Sequence, residues 1–305
     1  MLVVVLAAAL LYLAGMRRTR RSGRPWPRAW AVAFLIGGTG TVVIATMSFL
    51  GVYQHVLFYD RAVQTVLLLL AAPLFLALGR PLSLFTAALP GPGRRADAIV
   101  HSRATRILTF PAITAMVLII VPFVLYFTPW YEAGLRNATV RELTYVALLV
   151  PGLVFFWTLL RVDPVPKAYP YLVALWVTGA EVVGDAVLGL AVLADQHLIA
   201  GSYYQALGRP WGPSLRADQV IGGGALWILG DLVGLPFLAA TLIVMIREDE
   251  REAAQVDAEL DAKAAEAAVP GAEEAGRAPA ATPDSRPWWE SDSRFTRRFQ
   301  RPGSG

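Results

Sequence analysis

Three acidic residues lie inside long apolar stretches, where ionisable side chains are rare. Glu181 and Asp185 belong to the stretch 169–193, and Asp231 belongs to the stretch 219–246. A charged side chain costs roughly 2.5–3.5 kcal/mol at the centre of a bilayer, so such residues are candidates for function. Clustered carboxyl groups can bind a metal ion or relay protons. Protonated carboxyl groups can instead hydrogen-bond between helices as structural contacts, and both interpretations stay open.

The spacing of these residues predicts a shared site. Glu181 and Asp185 are four residues apart, which places them on one face of a helix. Glu181 and Asp231 each lie about 18 Å along their helices, measured from opposite membrane faces. We predict that the two helices pack face to face and place the three carboxyl groups in one outward-opening cleft. Small residues that favour this close approach flank them, namely Gly179, Gly184, Gly222, Gly223, Gly224 and Gly230.

A weaker candidate metal site lies among residues predicted to share the outer face. His55, Glu142 and Asp218 offer imidazole and carboxylate groups, which can bind divalent cations, but their spacing matches no metal motif. The chain contains no cysteine, which excludes disulfides and thiolate metal sites. It has no Walker A sequence, nucleophile elbow or His-Glu-x-x-His motif, so we predict that the protein is not an enzyme.

The composition is typical of a membrane protein. Hydrophobic residues make up 56% of the 305 residues and charged residues only 16%, against about 25% charged in soluble domains. A run of about 18 or more apolar residues is long enough to cross ~30 Å of hydrocarbon as a helix. The sequence therefore predicts an all-α, polytopic membrane bundle of about seven transmembrane helices, near residues 2–16, 29–52, 62–78, 107–127, 143–160, 169–193 and 219–246.

The distribution of basic residues predicts the orientation of these helices. Loops 17–28, 79–106 and 161–168 carry thirteen Lys or Arg, whereas the alternating loops carry five. Cytoplasmic loops are enriched in these residues, so the N-terminus is predicted outside and the C-terminus in the cytoplasm. We therefore expect a multi-pass membrane protein that contacts lipid. Topology explains the basic residues, and we expect no nucleic acid partner.

The composition changes after the last apolar stretch. We predict a seven-helix transmembrane domain over residues 1–250, followed over 251–305 by a cytoplasmic helix extension and a disordered tail. Residues 268–285 are rich in Pro, Ala, Gly and Glu, a composition typical of disorder. Trp288 and Trp289 lie among arginines near the end, where the tail could contact anionic lipid or remain solvated.

An ordered series of short motifs runs through the chain. Gln64 is followed by Leu78-Gly79-Arg80-Pro81, by Val162-Asp163-Pro164 and by Pro210-Trp211, and the series ends on helix seven with Asp218-Gln219, Gly222-Gly223, Trp227 and Gly230-Asp231. Over about residues 30–255 the chain resembles the CtaG family of cytochrome c oxidase assembly proteins, particularly its actinobacterial branch. Gln64, Gln219, Gly222, Gly223 and Trp227 are the family-motif positions that this resemblance implies to matter.

The resemblance implies a role in assembling cytochrome c oxidase from the outer side of the membrane. It implies oxidase subunits as partners and copper as the metal delivered. The usual family histidines are replaced: Arg61 and Thr65 occupy the His-x-x-x-His positions of the third helix, and Asp185 occupies a histidine position of the sixth. Two alternatives therefore stand beside copper delivery. One is a non-metal accessory protein of the respiratory complex, and the other is a small transporter or proton pathway built on Glu181, Asp185 and Asp231.

Overall fold

Helices account for almost all of the described chain. The computed structural model describes residues 1–89, 98, 102–165 and 169–268, with the backbone alone for 264–268. Within these ranges the regular structure is helical and contains no strand, which confirms the all-α class. The helices are α1 (Leu2–Arg21), α2 (Arg28–Tyr53), α3 (Phe58–Ala88), α4 (Arg103–Leu108), α5 (Pro111–Phe127), α6 (Trp130–Arg136), α7 (Ala138–Leu160), α8 (Tyr171–Ala194), α9 (Gly201–Ala206) and α10 (Leu215–Ala268).

The described helices agree with a bundle of about seven spans. Six of them are long and apolar enough to cross a membrane, and the number rises to seven if α5 and α6 form one bent span. These two helices meet at an angle of 68°. The bend falls at Thr128 and Pro129, where Thr128 is extended and Pro129 lacks the N–H that a continuous helix would need.

Several helices begin at other residues than hydropathy indicates. The predicted fourth helix, 107–127, divides into α4 and α5, because Pro111 takes the first helical position and Phe110 before it is extended. Helix α7 begins five residues before the predicted Leu143, because the Asn137 side chain accepts a hydrogen bond from the Thr139 N–H at 2.8 Å and caps the helix. A hydropathy scan does not detect the polar first turn of this helix, because the cap determines where the helix begins.

The apolar core surrounds α3. Leu68 and Leu70 of α3 pack with Leu118 of α5 and with Phe155 and Phe156 of α7, all at most 1% exposed. Both α2 and α3 contain a short π-helical segment, Ala33–Thr39 and Leu67–Ala71 respectively. This core thus fixes the positions of α3, α5 and α7 relative to one another.

The chain divides into two compact units, Met1–Glu248 and a second that begins at Asp249. All candidate site residues belong to the first unit. In the second unit α10 continues to Ala268, and its side chains over 249–263 are exposed. The predicted disordered tail lies outside the described residues, as do Arg94 and Arg95 of the predicted basic loop.

Candidate functional site

Helices α8 and α10 pack directly against each other through glycine. A Cβ atom placed on Gly223 would come within 2.9 Å of the Gly189 carbonyl oxygen, and one placed on Gly230 within 2.5 Å of Asp185 Oδ2. Real side chains do not tolerate such distances, so only glycine permits this approach. One turn further along, Gly234 lies opposite Glu181. The two helices are therefore face to face over the three carboxylates.

The three carboxyl groups converge in this helix pair. Glu181 is 2% exposed, Asp185 is 8% exposed and Asp231 is half-buried. Glu181 and Asp185 are close enough to hydrogen-bond when one is protonated, and Asp231 lies within electrostatic range of both. One oxygen of each group (Glu181 Oε1, Asp185 Oδ2 and Asp231 Oδ1) has no hydrogen-bond partner among the described residues.

These unpaired oxygens define what the cluster can do. A buried acceptor without a donor costs about 1–3 kcal/mol, so such groups usually have a ligand, a proton or water as partner. Three carboxylates brought together without a counter-charge repel one another. Protons or a cation would relieve both costs, and these are the two chemistries expected from the sequence. Which of them operates, and the predicted metal role of Glu181, Asp185 and Asp231, stay predictions.

A second polar region lies where α2 and α3 meet. Arg61 is 2% exposed and is among the largest fully buried side chains of the described chain. Its Nη1 donates to Gln54 Oε1 at 3.3 Å, and its guanidinium lies over the Tyr131 ring at 5.1 Å. No carboxylate in the described part of the chain lies within 4.0 Å of it, and its Nε has no hydrogen-bond acceptor there. A buried arginine that contacts only neutral groups is unusual, and such a residue is a candidate for function.

Hydrogen bonds extend this region across six helices. Tyr145 donates to Gln54 at 2.8 Å, and Gln64 donates to the Ala45 carbonyl at 2.6 Å. Thr65 and Tyr126 share a hydrogen bond of 3.0 Å. The Tyr131 and Tyr204 hydroxyls are 2.9 Å apart. We call Gln54, Arg61, Gln64, Thr65, Tyr126, Tyr131, Tyr145 and Tyr204 the Arg61 network.

Asp218 joins α10 to the beginning of α3. Its carboxylate accepts hydrogen bonds from the Phe58 N–H at 3.1 Å and the Tyr59 N–H at 2.9 Å, and Arg209 lies 3.4 Å away. These contacts satisfy the otherwise free N–H groups at the start of α3. Asp218 is only 1% exposed, so its observed role is to cap a helix from a distant part of the chain. Its metal role stays a prediction.

Gln219 and Arg216 hold the C-terminal end of α8. Gln219 accepts from the Ile199 N–H at 2.9 Å and donates to the His197 carbonyl at 3.0 Å. Arg216 donates to the carbonyls of Leu193 and Asp195, which the end of a helix leaves free. Together with Asp218, these side chains connect α8, α10 and α3.

The other family-motif residues pack these helices. Gly222 lies against the Phe58 ring, and Gly223 lies against Gly189. Trp227 also contacts α8 at Gly189. The motif on α10 is therefore a packing surface that faces α3 through one glycine and α8 through the next.

The weaker candidates His55 and Glu142 lie apart from the carboxylate cluster. His55 is half-buried, and burial lowers its pKa, with Arg141 and Arg61 lowering it further. Glu142 Oε2 lies 2.6 Å from the Met1 amino group. Over the described residues, no three His, Asp or Glu side chains are arranged to hold a metal ion together. The structure thus brings Glu181, Asp185 and Asp231 together and leaves His55, Glu142 and Asp218 in other contacts.

Arg61 is the residue whose burial the sequence did not predict. It was counted with the loop 53–61 in the topology argument, and the family resemblance placed it at a histidine position of the third helix. The structure places it in the first turns of α3, on the buried face that also holds Thr65 and Gln64. The four-residue spacing from Arg61 to Thr65 would have indicated one helical face, had the helix been started at Phe58.

Apolar helices long enough to cross a bilayer, with buried polar side chains between them, define a helical membrane protein. Residues 10–248 match the family described as cytochrome c oxidase caa3 assembly factor, Caa3_CtaG. This match covers most of the chain, and the chain belongs to that family. The family assignment made from the motif series is therefore confirmed.

Relatives occur in mycobacteria. The chain is 30% identical to an uncharacterized protein of Mycobacterium leprae over 260 residues, which is 82% of this chain and 39% of the relative. It is 31% identical over 262 residues to uncharacterized proteins of Mycobacterium bovis and Mycobacterium tuberculosis, covering 83% of this chain and 39% of each relative. The chain thus spans well under half the length of these relatives. No solved structure matches it significantly.

Proposed function

We propose that this protein assists the assembly of cytochrome c oxidase in the bacterial plasma membrane. The observation that carries the proposal is the family match, which extends over 10–248 and so over nearly all of the first unit. Membership in an assembly-factor family supports a binding role rather than catalysis. Oxidase subunits are the partners that such a role requires. The multi-pass topology with an outer N-terminus belongs to the same proposal and is supported by the basic loops.

Copper delivery from the outer face is the finer form of this proposal. The carboxylate cluster of Glu181, Asp185 and Asp231 supplies oxygen donors, three of which have no partner in the described structure. Oxygen ligands suit Cu(II) better than Cu(I), which prefers sulfur or imidazole. As positioned, the side chains do not form a metal site, so copper would have to draw them together. A copper role at this cluster would therefore require Cu(II) and a local rearrangement.

The test separates assembly from copper handling. The gene is deleted, and the amount of haem–copper oxidase is measured by its haem spectrum alongside its activity, at replete and at limiting copper. We expect oxidase content to fall in the deletion strain and to return with the wild-type gene. Rescue by added copper would support the copper form. A defect that copper does not relieve would support the non-metal accessory role, and unchanged oxidase would reject both.

A proton pathway is the second candidate, and the unpaired carboxyl oxygens favour it specifically. Glu181 and Asp231 lie on opposite helices of a close pair, where protons could pass between carboxyl groups. Asp231→Asn keeps the shape and hydrogen-bonding capacity but removes the titratable group. Under this candidate, the variant accumulates in the membrane and supports normal oxidase content, while proton uptake by vesicles that contain the purified protein is lost. Normal proton uptake by Asp231→Asn vesicles would reject it.

A further inference from the structure

A groove lies between α1 and the last part of α3. Its volume is about 730 Å³, within the usual range of about 300–1,000 Å³ for small-molecule sites. Leu11 and Ala14 form one wall on α1, and Leu84 and Phe85 form the other on α3. Neither the carboxylate cluster nor the Arg61 network reaches this groove. Its walls are apolar and suit a hydrocarbon chain.

The floor of the groove is well packed. The rings of Tyr12 and Phe34 stack at 4.1 Å, and the Tyr12 hydroxyl donates to the Gly79 carbonyl at 2.6 Å. The Trp26 indole in turn donates to the Tyr12 hydroxyl at 2.9 Å. These contacts hold α1 against α3 beneath the opening. The groove is therefore a formed feature of the surface, with fixed sides and a fixed floor.

One end of the groove is strongly basic. Arg17, Arg18 and Arg21 line it, and all three are exposed. In the described part of the chain no carboxylate lies within 4.0 Å of any of them. They follow directly on the apolar part of α1, at the level where a helix leaves the hydrocarbon. An apolar slot thus opens onto three cations that have no carboxylate partner among the described residues.

We propose that this groove binds one anionic phospholipid, with an acyl chain along the apolar walls and the phosphate among the three arginines. Charge complementarity selects this occupant, because basic pockets beside membrane helices favour anionic headgroups. A soluble phosphate would leave the apolar walls uncovered. A zwitterionic lipid would carry no net charge to offset the arginines.

Native mass spectrometry of the full chain tests the proposal. The protein is purified in detergent, mixed with equal amounts of phosphatidylglycerol and phosphatidylcholine, and the bound lipids are counted. We expect one phosphatidylglycerol to be retained in preference to phosphatidylcholine. The triple variant R17Q/R18Q/R21Q should lose this preference, by roughly five-fold for each arginine removed.

A matched control removes the same charge from the same segment. The triple variant R20Q/R24Q/R28Q changes three exposed arginines that do not line the groove, and it should retain the lipid. Ala14→Trp fills the groove while it leaves the arginines in place, and it should displace the lipid. Equal binding of the two lipids by the wild type would overturn the proposal. So would equal loss in both triple variants, or full retention in Ala14→Trp.

Discussion

At each end of the bundle an aspartate caps a helical segment, but the residues around the two aspartates differ. At one end, Asp218 accepts hydrogen bonds from two successive backbone N–H groups at the start of α3, at 3.1 and 2.9 Å. At the other end, Asp163 accepts from the N–H groups of Leu82 and Ser83, also at 3.1 and 2.9 Å, where α3 begins again at Pro81 after a left-handed Arg80. Each aspartate caps a helical segment from a distant part of the chain, and each is almost completely buried.

The surroundings of the two aspartates differ. Asp218 has Arg209 at 3.4 Å, and the Arg61 network begins beside the helix that it caps. Asp163 has no Lys or Arg within 4.0 Å among the described residues. A helix cap alone needs only the carboxylate. The Asp218 end therefore carries buried polar side chains beyond those that a helix cap requires.

The largest expected effect distinguishes these two caps. Asp218→Ala removes two hydrogen bonds and leaves the buried Arg209 with the Pro213 carbonyl but no carboxylate, so we expect a loss of about 3–5 kcal/mol in the free energy of unfolding. Asp163→Ala removes two hydrogen bonds of the same length but strands no cation. Its expected cost is about 1–2 kcal/mol. Thermal unfolding of the purified variants in one detergent measures the difference.

The control for this comparison keeps the hydrogen-bond acceptor. Asp218→Asn can still accept from one N–H of α3, and it should lie between the wild type and Asp218→Ala in stability. If Asp163→Ala proves as costly as Asp218→Ala, the two ends do not differ in the way inferred from Arg209.

The second prediction uses two adjacent glycines of α10. Gly223→Ala introduces a Cβ atom 2.9 Å from the Gly189 oxygen, and we expect it to cost about 1–3 kcal/mol as α8 and α10 move apart. Gly224→Ala meets nothing within 4 Å. It should stabilise the helix by up to about 1 kcal/mol through helix propensity. Opposite signs at neighbouring positions, measured by thermal unfolding, would confirm the packing, whereas equal effects would contradict it.

The sequence predicts the site better where spacing determines it than where tertiary contacts do. The four-residue step from Glu181 to Asp185 and the matching depth of Asp231 are enough to predict that the three groups converge. The cap at the start of α3 depends on a residue 160 positions away from Phe58, and no local pattern indicates it. The burial of Arg61 could not be predicted, because it results from packing between helices, whereas hydropathy assigns an arginine to a loop.

The third prediction contrasts the carboxylate cluster with a fully hydrogen-bonded buried residue. Glu181→Gln removes an oxygen that has no donor in the described structure and supplies an N–H₂ group near the Asp185 carboxyl group. We expect the stability to change by no more than about 1 kcal/mol, in either direction. Gln219→Ala, which removes several hydrogen bonds at a site 1% exposed, should cost about 1–3 kcal/mol. A loss above this range for Glu181→Gln would show that its carboxylate holds a ligand in the purified protein.

The smallest effect concerns the rim of the Arg61 network and depends on pH. Burial lowers the pKa of His55 below its usual value of 6.5, and the charges of Arg141 and Arg61 lower it further. The unfolded chain therefore binds a proton more readily than the folded protein does. Well above pH 6.5 the residue is neutral in both states and has no effect on stability. As the pH falls below that value, the unfolded state gains protons first, so the free energy of unfolding decreases until the pH passes the lowered pKa of the folded state.

We expect His55→Gln to lose part of this acid sensitivity while it matches the wild type near pH ~8. The difference between the two unfolding temperatures, followed from pH ~8 to ~5, measures the contribution of His55 without that of the other titrating groups. A difference that stays constant over this range would mean that His55 is as solvated in the folded protein as in the unfolded chain.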